Sequence, residues 1–534
     1  MNKIHFKILV FIGIVAMLQA CVDDFLELEP KTNLLEANAY KTEQDAFLAM
    51  TAVYDAQHVF NWNFVPIQSD IFSDDAFTAG EPGGGMGQWQ DQETSLLDAE
   101  NGASRDLWNR CYSGIYRANF YFLKEAEIAW EDNATKQRMH AEVLALRAYF
   151  YWDLVRHFGW VPIIESYISD PEAYKSIPQS TPGEVYGLIV RDLLAALPNL
   201  PEEVPNSELG RITQDMVQVL LARIYMFHEG FAKPVMGLTD DLTDGTTVVN
   251  KAYVSSAMDG IIGSGRYYLL PDYNDVFDWA NENNDESIFE WQYSEKAISG
   301  DWGGWNVNGN FSVVFYGVRD PQGDPNIMNG WSFGTVSWSL LNEFEAGDPR
   351  LNATIYSAND SLTGYTRGFQ NTGYFQYKYM PRAAFDPTTV GGIRDHNWPI
   401  NYKDMRYAEV LLIAAELFMD SDNSKATGYL NEVRTRAMGP GAALTSIDLD
   451  DIYHERRVEL AGEGHRKWDL LRRGLTYAKT QIDASWVIPP EAESPSDFEG
   501  RQFITDTWGM LPIPASEIRL VNEGMLVQHV PAFK

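Results

Sequence analysis

The sequence predicts a mainly α-helical fold in which packed helix pairs support an irregular region with a few short strands. Three observations lead there. Residues 46–57, 107–129, 135–158, 182–197 and 213–228 carry apolar side chains at spacings of three and four, the period of a helix with one buried face. From about 230 to 402 that period lapses, Gly, Asn, Asp, Pro and Trp become frequent, and strand-like pieces appear at 287–293 and 311–318. Helical spacing then returns at 405–420, 424–438, 449–462 and 466–473.

The chain opens on Lys3 and Lys7, an apolar run from Ile8 to Met17, and the closing sequence Leu18, Gln19, Ala20, Cys21. That is the layout of a bacterial lipoprotein signal over residues 1–20, with Cys21 as the acylated mature N-terminus. The run is too short for a spanning helix, which needs about 20 residues. Acyl chains contribute about 0.8 kcal/mol per buried methylene, so Cys21 is expected to anchor the body to a membrane outside the cytoplasm. With Cys21 so used, Cys111 has no intramolecular partner and disulfides do not hold the fold.

The helices are justified one by one. Ser104 and Asp106 precede one, Thr181 with Pro182 and Glu184 forms a capping sequence for another, and Thr213 opens a third. From His140 to Phe158 the helix is apolar nearly all round, the mark of an element buried between neighbours. Ala141, Ala145 and Ala148 would let those neighbours approach closely, and such pairs are similar to tetratricopeptide units, although no strict repeat of about 34 residues occurs. Trp152, Trp160 and Trp468 read as core. The division expected is a helical region over 21–230 and a second region over 231–534 that includes the irregular 231–402. The irregular stretch and the loop at 61–104 are the expected functional surfaces, because long structureless segments persist mainly where something binds.

A formal net charge of −34 repels polyanions, which argues against nucleic acid and favours neutral ligands. No zinc helix, P-loop, nucleophile elbow or CxxC pair is present, and no cofactor is implied. The glycines at 83, 84, 85 and 87 lack the spacing of a dinucleotide loop, and the fragment 240–245 has Leu242 where a calcium loop needs an oxygen, so no metal site is expected. Asp70, Asp74 and Asp75 beside Trp62 and Phe72 have the composition of a glycosidase pair. A hydrogen-bonded turn explains them more simply. Glu455, Arg456, Arg457, Glu459, Glu463, Arg466, Asp469, Arg472 and Arg473 alternate in sign over two short helices, and a buried ion network tying this end to earlier helices is expected.

Eight segments in order resemble the RagB/SusD family of outer-membrane nutrient-binding lipoproteins of Bacteroidetes. They are the leader 25–30 (FLELEP), 108–119 (WNRCYSGIYRAN), 141–164 (AEVLALRAYFYWDLVRHFGWVPII), 210–225 (GRITQDMVQVLLARIY), 406–416 (RYAEVLLIAAE), 430–437 (LNEVRTRA), 455–470 (ERRVELAGEGHRKWDL) and 511–517 (LPIPASE). The resemblance implies four tetratricopeptide-like helix pairs, a SusD-like α-α superhelix, and no enzymatic activity. It implies a SusC-like TonB-dependent outer-membrane transporter as partner, with the protein as a surface lid that captures oligosaccharide for import. Asp23 and Asp24, next to Cys21, fit the surface-export signals of such lipoproteins. The family's ligand is held by an arc of aromatic rings, but the matched segments are mostly scaffold.

The candidate ligand residues therefore come from chemistry. A sugar ring offers C–H faces to flat aromatics and a rim of hydroxyls to Asn, Gln, Asp and Arg. Trp62, Gln88, Trp89 and Arg105 have that composition before the 107–129 helix. Trp302, Trp305, Asn306, Tyr316 and Trp331 repeat it in the irregular region beside glycines 303, 304, 309 and 317, which leave rings exposed. The favoured ligand is a neutral oligosaccharide or polysaccharide such as a glucan. The alternatives are a surface glycoside hydrolase using Asp70, Asp74 and Asp75, and a lid serving peptide uptake.

Overall fold

The computed structural model describes residues 40–58, 65–82, 84–296, 309–486, 488 and 494–534. The signal sequence, Cys21 and the leader, together with Trp62, Trp302, Trp305 and Asn306, lie outside the described residues. The main helices are α1 (Glu43–Asp55), α2 (Val65–Phe72), α3 (Gly87–Glu93), α4 (Gly102–Glu125), α5 (Asn133–Phe158), α6 (Pro182–Ala196), α7 (Gln214–Phe227), α8 (Lys251–Ser264), α9 (Tyr407–Phe418), α10 (Asn423–Met438), α11 (Leu449–Leu460), α12 (Arg466–Arg472) and α13 (Leu475–Ala484). The strands are β1 (Ala76–Ala79), β2 (Ser287–Trp291), β3 (Phe333–Val336), β4 (Ile355–Ser357), β5 (Tyr374–Gln376) and β6 (Tyr402–Arg406). The fold is mainly helical, as the sequence predicts.

The caps explain where the helices begin. Thr181 and Glu184 form a reciprocal capping box on α6, and Thr213 accepts from the Met216 N–H on α7. Helix α4 starts earlier than Ser104 and Asp106 imply, because Asn101 takes the cap by accepting from the Ala103 N–H. Every residue of α5 from Glu142 to Phe158 is buried, the consequence of its all-round apolar surface. It packs against α1, α4 and α6, while α8 lies against α7 and α9, and α9 against α10 and α11. Trp152 is core, whereas Trp160 and Trp468 are half-buried.

Two expectations change. The apolar run 311–318 is not a strand: Val313–Tyr316 is one helical turn with all four side chains buried. A continuous apolar run carries no period that separates the two states, and here burial on every side suits a turn. Residues 405–420 divide into β6, paired antiparallel with β2, and α9. Helices α2 and α3 fall within the loop at 61–104 and α8 within the irregular stretch 231–402, while α13 lies beyond the last helical spacing read from the sequence.

The other sheet has the order β1-β3-β5-β4. It positions the site, because β1 comes from the loop region at 61–104 and its partners come from the irregular region. Both surfaces singled out in the sequence thus share one sheet.

The charged cluster at 455–473 forms the expected ion network. Glu459 accepts from Arg406 (2.8 Å), Arg350 (2.9 Å) and Arg436 (2.5 Å), with every carboxylate and guanidinium buried. Glu463 takes Arg406 and Lys378 at 2.6 and 2.7 Å. Charges this deep hold only when paired on several sides.

Candidate functional site

At one end of the β1–β3 ladder, where Ala79 opposes Phe333, the chain bends sharply on both strands. Nine non-glycine residues among those described have left-handed φ. Five of them frame this corner: Ala79 (56°), Met86 (48°), Asp320 (49°), Ser332 (60°) and Gln370 (47°). Such conformations cost about 1–3 kcal/mol each and persist where surrounding contacts enforce them, so their clustering marks a built surface.

The enforcing contacts are visible. Buried Glu93 on α3 accepts from the Thr78 N–H (3.1 Å) and from Gln370 Nε2 (3.0 Å), and Gln370 Oε1 accepts from the Ala79 N–H (2.9 Å). Thr335 Oγ1 donates to the Gln370 carbonyl at 2.8 Å, and the Gly80 N–H donates to the Ser332 carbonyl at 2.8 Å. A Cβ on Gly368 would sit 1.8 Å from the Gly80 carbonyl oxygen, so only glycine permits the loops to meet this closely.

Between these loops lies an open groove of about 300 Å³, lined by Glu81, Gly85, Met86, Arg319, Trp331 and Phe333. Trp331 is half-buried and Phe333 is 6% exposed. Beneath them Phe315 lies 5.8 Å from the Trp331 ring, and Trp89 lies 5.2 Å from both Phe315 and Phe333, edge to face. Arg319 donates from Nη2 to the Trp331 carbonyl at 3.0 Å, which holds the guanidinium at the rim. The arrangement offers an aromatic wall, one fixed cation, one exposed carboxylate at Glu81, and loops whose shape is set before any ligand arrives.

Of the sequence-predicted residues, Trp331 lines the groove. Trp89 and Tyr316 do not: both are 0% exposed, Trp89 as the support just described and Tyr316 packed beside Tyr379. Their faces are taken by other rings, which corrects the expectation that they stack on a ligand. Gln88 is half-buried in the first turn of α3, and Arg105 is exposed on α4. A Cβ on Gly102 would lie 2.5 Å from Gln88 Oε1 and 3.6 Å from Arg105 Nη2, so these two share a corner near the groove without lining it. Sequence reasoning missed Arg319, Phe333, Glu81 and Met86. The signal for Phe333 was its place two residues from Trp331, between Gly330 and Gly334.

The Asp70, Asp74 and Asp75 group is sealed. Arg466 grips Asp74 through Nε (2.7 Å) and Nη2 (2.8 Å), and Arg457 lies 3.1 Å from Asp74 and 2.8 Å from Asp75. Burial alone would raise the Asp74 pKa, but the Arg457 and Arg466 guanidiniums outweigh it and hold the carboxyl below the usual range. Burial keeps Asp70 well above that range, reinforced by the Asp75 charge. No substrate reaches these groups, all of them at most 4% exposed, which overturns the hydrolase assignment for these three residues.

Larger grooves lie on helical faces, one of about 430 Å³ along α4 and one of about 580 Å³ beside α1 and residues 207–211. Neither carries the strained frame.

A family model described as "Starch-binding associating with outer membrane" matches residues 24–226, and one described as "SusD family" matches 350–531. The chain belongs to the SusD/RagB family. A SusD-like protein of Bacteroides ovatus is 28% identical over 87% of this chain and 82% of its own length. Among solved structures, a "laminarin binding SusD-like protein" superposes with a TM-score of 0.77 at 28% identity, over 92% of this chain and 99% of its own. Surface glycan-binding protein A from Bacteroides thetaiotaomicron, solved with laminarihexaose, superposes with a TM-score of 0.76 at 28% identity over 91% and 99%. The two solved structures are named as binding proteins. No helix among the described residues is long and apolar enough to cross a membrane.

Proposed function

We propose that this chain is a surface-exposed lipoprotein of the outer membrane, anchored through Cys21, that binds a neutral oligosaccharide and delivers it to a SusC-like TonB-dependent transporter. The observation that carries the reading is the Trp331–Phe333 wall held in a strained, hydrogen-bonded frame between the two regions that the sequence marked as functional. Aromatic faces take the apolar faces of sugar rings, and Arg319 and Glu81 stand where hydroxyls would project. Trp62, Trp302, Trp305 and Asn306 stay in this reading as ligand residues on the composition of their sequence segments. In this reading the division into 21–230 and 231–534 leaves α1–α7 in the first region and α8–α13 in the second, with the groove where the two meet. No catalytic step is assigned. Two solved relatives carry laminarin or laminarihexaose in their names, so laminari-oligosaccharides are the first ligands to test.

The test is affinity electrophoresis of the protein without residues 1–21 in gels containing laminarin, starch, xyloglucan, pectin or alginate. Retardation by a neutral glucan supports the reading. Migration unchanged in every neutral polysaccharide removes it. Pull-down of a TonB-dependent barrel from the native outer membrane, through a tag on this chain, tests the transporter.

A further inference from the structure

A second feature, which shares no lining residue with the groove, lies where α5, α7, α9, α11 and α12 converge. A cavity of about 50 Å³ there is lined by four guanidinium groups, Arg156, Arg223, Arg456 and Arg472, and three carboxylates, Asp404, Glu409 and Asp469. The carboxylates are already committed. Arg223 takes Glu409 at 2.6 and 2.8 Å and Asp404 at 2.7 Å. Asp469 is divided between Arg456 (2.8 Å) and Arg472 (3.0 Å).

Two lining side-chain atoms are buried with no hydrogen-bond partner, Arg456 Nη1 and Trp468 Nε1. Both are donors, and no lining side-chain acceptor is left in the same state. Buried donors without a partner are costly, and the site asks for an acceptor. A water would satisfy them as well, but four guanidinium groups against three carboxylates leave the lining one positive charge in excess, which a neutral water does not offset. A halide ion brings charge and no protons. His465, at the cavity wall, is pushed down to about 3 by burial first and then by Arg223 and Arg456, so near neutral pH it adds no charge to the lining. At about 50 Å³ the cavity has room for a small ion.

We infer that this cavity holds one chloride-sized monovalent anion between Arg456 Nη1 and Trp468 Nε1, which bridges α11 and α12. The site is structural and independent of the glycan groove.

The experiment is a crystal of the protein grown in sodium bromide, with diffraction recorded at the bromine absorption edge. The expected result is an anomalous peak within hydrogen-bond reach of both nitrogens. A cavity with water density and no anomalous signal, or bromide found only on the surface, overturns the inference. Thermal unfolding supplies the second reading: the midpoint should rise by about 2–3 °C at a hundredfold excess of chloride over its Kd, measured against gluconate at equal ionic strength. Trp468→Phe removes the indole N–H while keeping an aromatic ring, and should lose the peak and most of the chloride dependence. Equal chloride dependence in the variant and the unchanged protein contradicts the site, and if the variant does not fold the bromide map alone decides.

Discussion

Asp74→Asn separates the two roles the sequence left open for its acidic trio. Asparagine keeps the shape and loses the charge, so Arg466 is left with its nearest remaining carboxylate, Asp75, 4.0 Å away. Removing one partner of a buried, hydrogen-bonded pair costs about 3–5 kcal/mol, because the other charge stays buried without compensation. Unfolding entropy of about 2.1 cal/mol/K per residue over 534 residues converts that loss to a fall of about 3–4 °C in a single cooperative transition. The acid side gives a sign. Asp74 titrates below its unfolded value of 3.8, so its contribution is complete above that pH and disappears as pH falls further. Calorimetry at pH 7 should therefore show the variant less stable, and below about pH 4 the two melting curves should converge. Glycan binding at pH 7 should be unchanged. An unaltered melting temperature, or loss of a polysaccharide-cleaving activity present in the unchanged protein, refutes the structural role.

Trp89→Ala should destabilise the protein by about 3–5 kcal/mol, as for a large aromatic removed from a core, and weaken binding only through disorder of Phe333 and Phe315; a stable variant with selectively lost binding would return Trp89 to direct contact. Glu93→Ala leaves the Thr78 N–H and the Gln370 amide without their acceptor, at about 1–3 kcal/mol each, and hydrogen exchange should accelerate at residues 78–80. Unchanged protection there would show that the strained corner is held by other contacts. Cys21→Ala should move the protein from the membrane pellet to the soluble fraction on cell fractionation while leaving glycan affinity intact.

The long helices were legible because period and caps agree locally: Thr181 with Glu184, Thr213, and the all-round apolar α5 can be read without tertiary context. The charge alternation at 455–473 likewise announced an ion network, although its partners Asp74 and Asp75 stand almost four hundred positions earlier and no spacing could name them. The groove was harder. Phe315 packs against both Trp89 and Trp331, and what separates the two is that Trp89 is wholly buried beneath Phe315 and Phe333, more than two hundred residues beyond it, whereas Trp331 is half-buried. Composition identifies a ring suited to sugar; only packing decides whether its face is free. The left-handed corners at Ala79, Ser332 and Gln370 left no trace either, since none is glycine or asparagine.

The central claim is that the Trp331–Phe333 groove binds a neutral oligosaccharide. Isothermal titration of laminarihexaose into the protein and into Trp331→Ala tests it most directly. The expected result is saturable binding that weakens by about twofold to twelvefold in the variant, the weight of one aromatic stacking contact of about 0.5–1.5 kcal/mol, with the melting temperature unchanged. Binding of equal affinity in both proteins would place the site elsewhere, and no heat with laminarihexaose or any other neutral oligosaccharide would contradict the account.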